Sequence, residues 1–347
     1  MITSLKIENF KSIVNGEFSF KSFTIFTGTN SSGKSSIIQS ILFYSCVSQP
    51  NIHLESYLSS LGSVENLLYF KVTKDKKIKI TLDVNGKELL PLTSNDTCDD
   101  WDNLDCNNFL AFERELFHLS SNRIGQQDIT KTHKTLKSGN SGEHLFGFYE
   151  ENKNKSIKNK ELISNSDSNT LSSQVRFWLN KILDLKLEPI TQKINSNDIE
   201  IQYNNYELGI KLSPFNIGAG VDYLTKILIL GLSLEKDNLL IVENPEIHLH
   251  PKAITKLCDF FIFLVNAGIQ VILETHSDHI LNKTRWNVFK NNISNDSVKV
   301  YYRNSENEDF VDLNINKQGR FTDKDSQIIE FPTGFFDSDL DELLEMM

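Results

Sequence analysis

Apolar positions along the chain change their spacing in a way that lays out its elements. Residues 2–7 and 16–20 read as short strands, and residues 23–26 form a continuous apolar run, the mark of a central strand. A Gly/Ser-rich turn ends that run, after which Ile37, Ile38, Ile41 and Leu42 recur at helical spacing. The order is strand, glycine loop, helix. Residues 69–84 alternate and turn like a solvent-facing hairpin. Two further apolar strands are predicted over 238–242 and 269–273. Between them Pro251 opens a helix carrying Ile254, Leu257, Cys258, Phe261 and Val265 on one face, with Gly268 as its stop. Strand, helix, strand at this length predicts a right-handed parallel crossover, and so an α/β core.

The middle of the chain is less regular. Residues 93–107 are acidic and polar and read as a loop, followed by the segments 110–119 and 121–125 and a glycine-rich patch at 139–142. Residues 151–173 are rich in Asn, Lys and Ser, a composition that predicts a mobile surface insertion. Residues 176–185 predict an amphipathic helix. There is no internal repeat and no heptad run long enough for a coiled coil. The expected division is an N-terminal lobe with the glycine loop (1–92), a helical and loop insertion (93–190) and a C-terminal lobe (191–347).

Composition narrows the class. With 39% hydrophobic and 24% charged residues among 347, and 23 Phe for a core, the chain is of globular type. A net charge of −10, from 36 basic and 46 acidic residues, argues against a protein that coats nucleic acid. Cys46, Cys98, Cys106 and Cys258 show no CxxC spacing, which suits a reducing cytoplasm. The start lacks the apolar stretch of a signal peptide, and the most apolar segments fall short of the roughly 18 residues of a membrane span. A soluble cytoplasmic protein is expected.

The chemistry concentrates at Gly28-Thr29-Asn30-Ser31-Ser32-Gly33-Lys34-Ser35, which satisfies GxxxxGK followed by Ser or Thr between a strand and a helix. Glycines let backbone N–H groups curl round phosphates, and the helix N-terminus adds its dipole. Lys34 reaches the β/γ-phosphates and the Ser35 hydroxyl can ligate Mg²⁺. Asn30, Ser31, Ser32, Gly33, Lys34, Ser35 and Ser36 are the candidate nucleotide-binding residues. A phosphate loop needs an acid at the end of an apolar strand for Mg²⁺, and Glu243, directly after LLIV, supplies it.

Five segments occur in one order: SLKIENFKSI at the start, GTNSSGKSS, NIGAGVDYL (216–224), ENPEIHLHP (243–251) and ETHSDHIL (274–281). Together they resemble an ABC-type ATPase head of the SMC-like group, above all compact stand-alone bacterial ATPases related to overcoming-lysogenization-defect proteins. SSNRIG (120–125), GNSGEH (139–144) and EFPTGFFD (330–337) resemble that subgroup too; 151–173 is not covered. The resemblance implies an ABC-type P-loop NTPase fold, with a mixed β N-terminal lobe, a parallel-sheet core and a helical insertion. It implies two heads closing as a homodimer round two ATP molecules, with Mg²⁺, and opening on hydrolysis. Residues 216–222 would be the signature loop, meeting the γ-phosphate held by the opposite head through Gly218, Gly220 and Asp222. His276 would be the switch histidine, and the 248–251 loop would cross the dimer interface. A rival reading makes His248, His250, His276, Asp278 and His279 metal ligands.

Two positions depart from the family. Asp222 stands where Ser is common, and a carboxylate facing phosphates repels them unless it is paired or turned away. Asn244 stands where many ABC ATPases carry the Glu that polarises the attacking water, and an amide is no general base. The reading is therefore slow hydrolysis, with Glu246, or a water held by Asn244, in that role. With Glu243 and His276 these complete the candidate catalytic set. No Toprim nuclease or HNH-type cluster is visible, so an effector such as a nuclease is expected on another chain, with the ATPase as its sensor or regulator in bacterial anti-phage defence. The alternatives are a DNA-clamping SMC-type repair ATPase, which Lys71, Lys74, Lys76, Lys77 and Lys79 could serve, and a nucleotide-gated scaffold with negligible hydrolysis. A transporter subunit fits least. Arg123 reads equally as a clamp near nucleotide or a core-edge residue, and the acidic tail after Phe336 as a solvated or a docking helix.

Overall fold

The computed structural model describes residues 1–47, 67–68, 77–94, 101–102, 110–139, 141–164 and 168–330. In chain order the elements are β1 (Ile2–Phe10), β2 (Ile13–Ser19), β3 (Phe23–Gly28), α1 (Lys34–Val47), β4 (Lys79–Val84), β5 (Lys87–Glu88), β6 (Leu92–Ser94), β7 (Trp101–Asp102), β8 (Leu116–Leu119), β9 (Ile129–Lys131), α2 (Leu145–Asn152) and α3 (Leu171–Leu183). They continue as β10 (Leu187–Lys193), β11 (Asp198–Asn205), β12 (Ile210–Leu212), α4 (Ala219–Leu232), β13 (Leu239–Glu243), α5 (Pro251–Asn266), β14 (Gln270–Thr275), α6 (Asp278–Phe289), β15 (Val298–Arg303), β16 (Val311–Ile315) and β17 (Phe321–Thr322). These fall into two units, Met1–Leu116 with Ser294–Met347, and Phe117–Ile293.

In the first unit an antiparallel sheet runs β2-β1-β4-β6-β7, with β5 on β4. Its register sets Ile7 beside Ile80, and alternation along β1 buries Leu5 and Ile7 while Lys6 and Glu8 stay exposed. β4 is thus an inner strand with mostly buried residues, not the solvent-facing arm its alternation suggests, and Lys79 pairs with Glu8 at 3.7 Å. Residues 69–76 of that hairpin, with Lys71, Lys74 and Lys76, lie outside the described residues, as does the acidic tail. β3 is buried throughout and pairs in parallel with β15, where Phe26 and Tyr301 stack at 5.3 Å. α1 packs on β1, β3 and β4 through its buried isoleucines and Leu42.

In the second unit β13 and β14 are parallel, with Glu243 beside Glu274 at their C-terminal ends. α5 forms the crossover between them. Pro251 is its first residue and the His250 ring accepts from Lys252 N–H at 3.3 Å; Gly268 ends the connection at a φ of 85°. A second sheet places β11 between β10 and β12, with β9 also paired to β11. Residues 151–173 differ from the composition-based expectation: Ile157 and Leu162 are buried, Asn159 Nδ2 donates to Ala267 O at 3.0 Å, and Thr170 caps α3. Two well-placed apolar side chains and a cap anchor a segment whose average composition is polar. No described helix is long and apolar enough to cross a membrane.

Candidate functional site

The turn between β3 and α1 carries the glycine-lysine motif in the first unit. Ser31 and Gly33 hold left-handed φ values of 60° and 88°. A Cβ at Gly33 would collide with Ser12 Oγ and lie 2.7 Å from Arg303 Nη1, so only glycine lets the loop turn into α1 here. Arg303, the last residue of β15, donates from Nη1 to Ser32 O at 3.0 Å, while Nε and Nη2 hold the carbonyls of Glu308 and Glu306. Lys34 is buried, and its Nζ donates to Thr29 O at 2.6 Å, Gly28 O at 3.2 Å and Ser32 Oγ at 3.2 Å. Asn30 and Ser31 are exposed, Ser35 is half-buried, and Ser36 Oγ lies 3.1 Å from Ser12 Oγ. A positioned ammonium, two hydroxyls and the first turn of a 14-residue helix form a donor set that fits phosphate.

In the second unit β13 ends on buried Glu243. Ser121 N–H donates to its Oε2 at 2.9 Å, and His118 Nε2 lies 3.1 Å from Oε1. Burial alone would raise this carboxyl, but the His118 and Ser121 hydrogen bonds outweigh it and hold Glu243 at about 2. An ionised carboxylate only accepts, so His118 donates. Asn244 follows with a left-handed φ of 43°, its N–H bonded to Glu274 O at 2.7 Å. Asparagine bears that conformation better than any other non-glycine residue except aspartate, a backbone reason for an amide here.

Glu246 Oε1 accepts from His276 N–H at 2.8 Å. Its Oε2 and Asn244 Oδ1 are both buried with no hydrogen-bond partner among the described residues. Burial raises the Glu246 pKa, against hydrogen bonds from its own and the His276 backbone and from the Thr275 side chain, and against the nearby Arg123 charge. These two buried acceptors, two residues apart in sequence, leave room for a donor such as water, and a carboxylate of raised proton affinity is suited to take a proton from it. The structure thus brings Glu243, Asn244, Glu246 and His276 to one end of the β13–β14 pair, with His276 exposed.

The glycine-containing loop before α4 lies against residues 248–253. A Cβ at Gly220 would strike the His248 carbonyl oxygen, and Tyr223 stacks on the His248 ring at 5.6 Å. An open cavity of about 230 Å³ is lined by Gly218, Gly220, His248, His250 and Lys252 among others. Gly218 differs: its φ is −59° and nothing lies within 4 Å of where a Cβ would sit, so the fold itself does not require glycine there.

Asp222 does not face that cavity. It is 1% exposed and pairs with Lys226 Nζ at 2.8 Å, while Tyr203 OH donates to its Oδ1 at 3.3 Å. The anticipated contact of its carboxylate with phosphate gives way to an internal ion pair, which removes the repulsion the sequence raises. His118, Gln126, Lys226 and Arg303 are the site-shaping residues that the sequence reading does not single out. Gln126 Nε2 donates to Pro214 O and Ile217 O at 2.6 and 2.5 Å, which fixes the loop before α4. Among the described residues no three His, Cys, Asp or Glu side chains gather as a metal site; His248 stacks and His250 caps α5.

The chain superposes on an Smc head bound to the C-terminal winged-helix domain of ScpA, with a TM-score of 0.56 at 15% identity, over 91% of this chain and 98% of that one. An Smc head with an extended coiled coil, bound to the C-terminal domain of ScpA derived from Pyrococcus furiosus, matches with a TM-score of 0.56 at 13% identity, over 90% and 96%. At such identities these likenesses establish the fold. No curated protein matches the sequence. The family model described as "AAA domain, putative AbiEii toxin, Type IV TA system" matches residues 23–282. With that span of a 347-residue chain matched, the chain belongs to this AAA-domain family, and it shares the α/β fold of Smc heads.

Proposed function

We propose that the chain binds ATP with Mg²⁺, closes as a homodimer, and hydrolyses ATP slowly to ADP and phosphate to reopen. The phosphate loop supplies Lys34 to the phosphates and Ser35 to the metal, and Glu243, ionised at neutral pH, is the metal-associated acid. Mg²⁺, when bound, neutralises phosphate charge. Asn244 orients the attacking water and Glu246 accepts its proton as the water oxygen bonds to the γ-phosphorus and the bond to the β-phosphate oxygen breaks. His276 donates toward the γ-phosphate. Gly218 and Gly220 admit the γ-phosphate held by the other copy, and the space beside Gly218 supports that role.

The observation that carries the hydrolytic reading is the pair of buried oxygens on Asn244 and Glu246 that have no hydrogen-bond partner among the described residues. Steady-state ATP turnover by the purified chain tests it, with Lys34→Ala as the blank and bound nucleotide quantified alongside. Turnover above the blank, lost in Glu246→Gln, is the expected result. Unchanged turnover in Glu246→Gln removes Glu246 as the base. Tight binding with no turnover favours the second reading, a nucleotide-gated scaffold, for which Asn244 at the usual base position speaks.

The reading extends to biology: the ATPase acts as a sensor or regulator of a separate effector chain, such as a nuclease, in a bacterial anti-phage defence complex in the cytoplasm. The toxin named in the description of the matched family supports this direction. Co-purification of the chain with the product of a neighbouring gene, and ATP-dependent change in that partner's activity, is the corresponding test.

A further inference from the structure

The segment running from Ser121 to Gln126 has no regular secondary structure, yet three separate parts of the second unit hold it. At its start, Ser121 N–H donates to Glu243 Oε2 at 2.9 Å. Two residues on, Arg123 Nη2 donates to the carbonyls of Glu243 and Asn244, consecutive residues at the turn where Asn244 is left-handed. In the middle, Lys226 of α4 donates to Ile124 O at 2.7 Å and to Gly125 O at 3.3 Å. At its end, Gln126 spans Pro214 O and Ile217 O in the loop that leads to Gly218. Tyr223 of α4 lies 5.7 Å from the Arg123 guanidinium and stacks on His248.

Arg123 is 5% exposed, and its Nε and Nη1 are buried with no partner among the described residues. A buried guanidinium with two unmade hydrogen bonds is a poor way to gain stability. What it does achieve is to fix two adjacent carbonyls with one planar group. Tied at both ends by hydrogen bonds, the segment forms one connected network between the acidic end of β13 and the loop before α4.

We infer that residues 121–126 form a strap that couples the acidic end of β13 to the loop before α4, with Arg123 and Gln126 as its positioning residues. The inference rests on the proposed dimeric ATPase. Under that reading the acidic end serves the nucleotide bound by its own chain, while the Gly218 loop serves the nucleotide of the second copy. The strap is then the path by which one site reports its state to the other, and it makes ATP turnover cooperative. Neither Arg123 nor Gln126 touches nucleotide in this scheme; they act through Asn244 and Gly218.

Gln126→Met keeps side-chain length and removes the donor, and Arg123→Lys keeps the charge and removes the fork. The full chain and both variants are compared for ATP affinity, ATP-dependent dimerisation by sedimentation, and turnover against ATP concentration. The expected result is a sigmoidal wild-type curve, with Gln126→Met at unchanged ATP affinity, a kcat lowered at least tenfold, and a Hill coefficient near one. Hydrogen exchange at residues 214–220, at a dilution where the chain is monomeric, gives a second readout that general damage does not mimic. ATP should alter exchange there in the wild type and not in either variant. A wild type that dimerises and turns over ATP, alongside variants matching it in kcat, Hill coefficient and ATP-induced exchange, overturns the strap alone. A wild type that binds ATP but neither dimerises nor hydrolyses it removes the underlying reading, and the strap with it.

Discussion

Replacing Asp222 by alanine strips the counter-ion from a lysine that does not reach water. Asp222 and Lys226 are 1% and 2% exposed, one helical turn apart on α4, with Nζ and Oδ2 at 2.8 Å. Burial raises the Asp222 pKa and lowers that of Lys226, in each case against the pull of the partner. A raised acid contributes stability below its unfolded value that is lost as pH rises through the folded one. A lowered base contributes stability above its unfolded value that is lost as pH falls through the folded one. Between those limits the charged pair therefore costs more in desolvation than its attraction returns. Removing one member of such a pair costs about 3–5 kcal/mol, because the remaining charge is left buried. Lys226 keeps its bonds to Ile124 O and Gly125 O, which places Asp222→Ala near the lower end, about 3 kcal/mol. With a urea dependence of about 1–3 kcal/mol per molar, the midpoint of the second unit's unfolding should fall by at least 1 M. The double variant Asp222→Leu with Lys226→Met removes both charges and should recover most of the loss near neutral pH. A single variant within 1 kcal/mol of the wild type, or a double variant no better than the single, refutes this account.

Other outcomes follow from the same geometry. Glu243 is depressed from 4.5 to about 2, so its contribution is present above the unfolded value and is lost as pH falls toward 2; by linkage it amounts to about 3 kcal/mol. Urea midpoints measured across that window should fall steeply for the wild type and less for His118→Leu, which starts from lower stability. Gly220→Ala forces a Cβ onto the His248 carbonyl and should cost about 1–3 kcal/mol by thermal unfolding. Gly218→Ala meets open space and should leave stability within about 0.5 kcal/mol while lowering ATP turnover at least tenfold. Asn244→Glu should not restore fast turnover and should lose about 1 kcal/mol to its left-handed backbone, whereas Asn244→Gly should keep the wild-type unfolding temperature within a degree or two.

The phosphate loop and the β13–α5–β14 crossover were legible in the sequence because their signals are local. A glycine two residues before Ser35, or Pro251 after a capping His250, constrains only the residues around it. What contacts these elements is not local. His118 approaches Glu243 across 125 positions, and Arg303 reaches Ser32 across 271, so no spacing in the sequence marks either as part of a site. Asp222 shows the opposite failure. Its place in a motif points outward to phosphate, while its partner Lys226 sits only one helical turn away and draws it inward. The solvent-facing reading of the strand at Lys79 fell short for a related reason: β4 has neighbours on both sides, and a strand's place in a sheet depends on what pairs with it rather than on its own alternation.

Asn244 brings these levels together. Read as a letter in a motif, it marks the loss of a base. Read as backbone, it is a residue at φ 43° whose N–H and C=O are both held, by Glu274 and by Arg123. A glutamate there would carry its carboxylate on a conformation that costs L-residues about 1–2 kcal/mol, with aspartate and asparagine the usual exceptions. The proposed mechanism places the proton acceptor on Glu246, two residues on, where burial already raises the proton affinity and one oxygen is unpartnered among the described residues. Under the proposed mechanism the turn separates the tasks: Asn244 holds the backbone geometry, and Glu246 is the group that takes the proton.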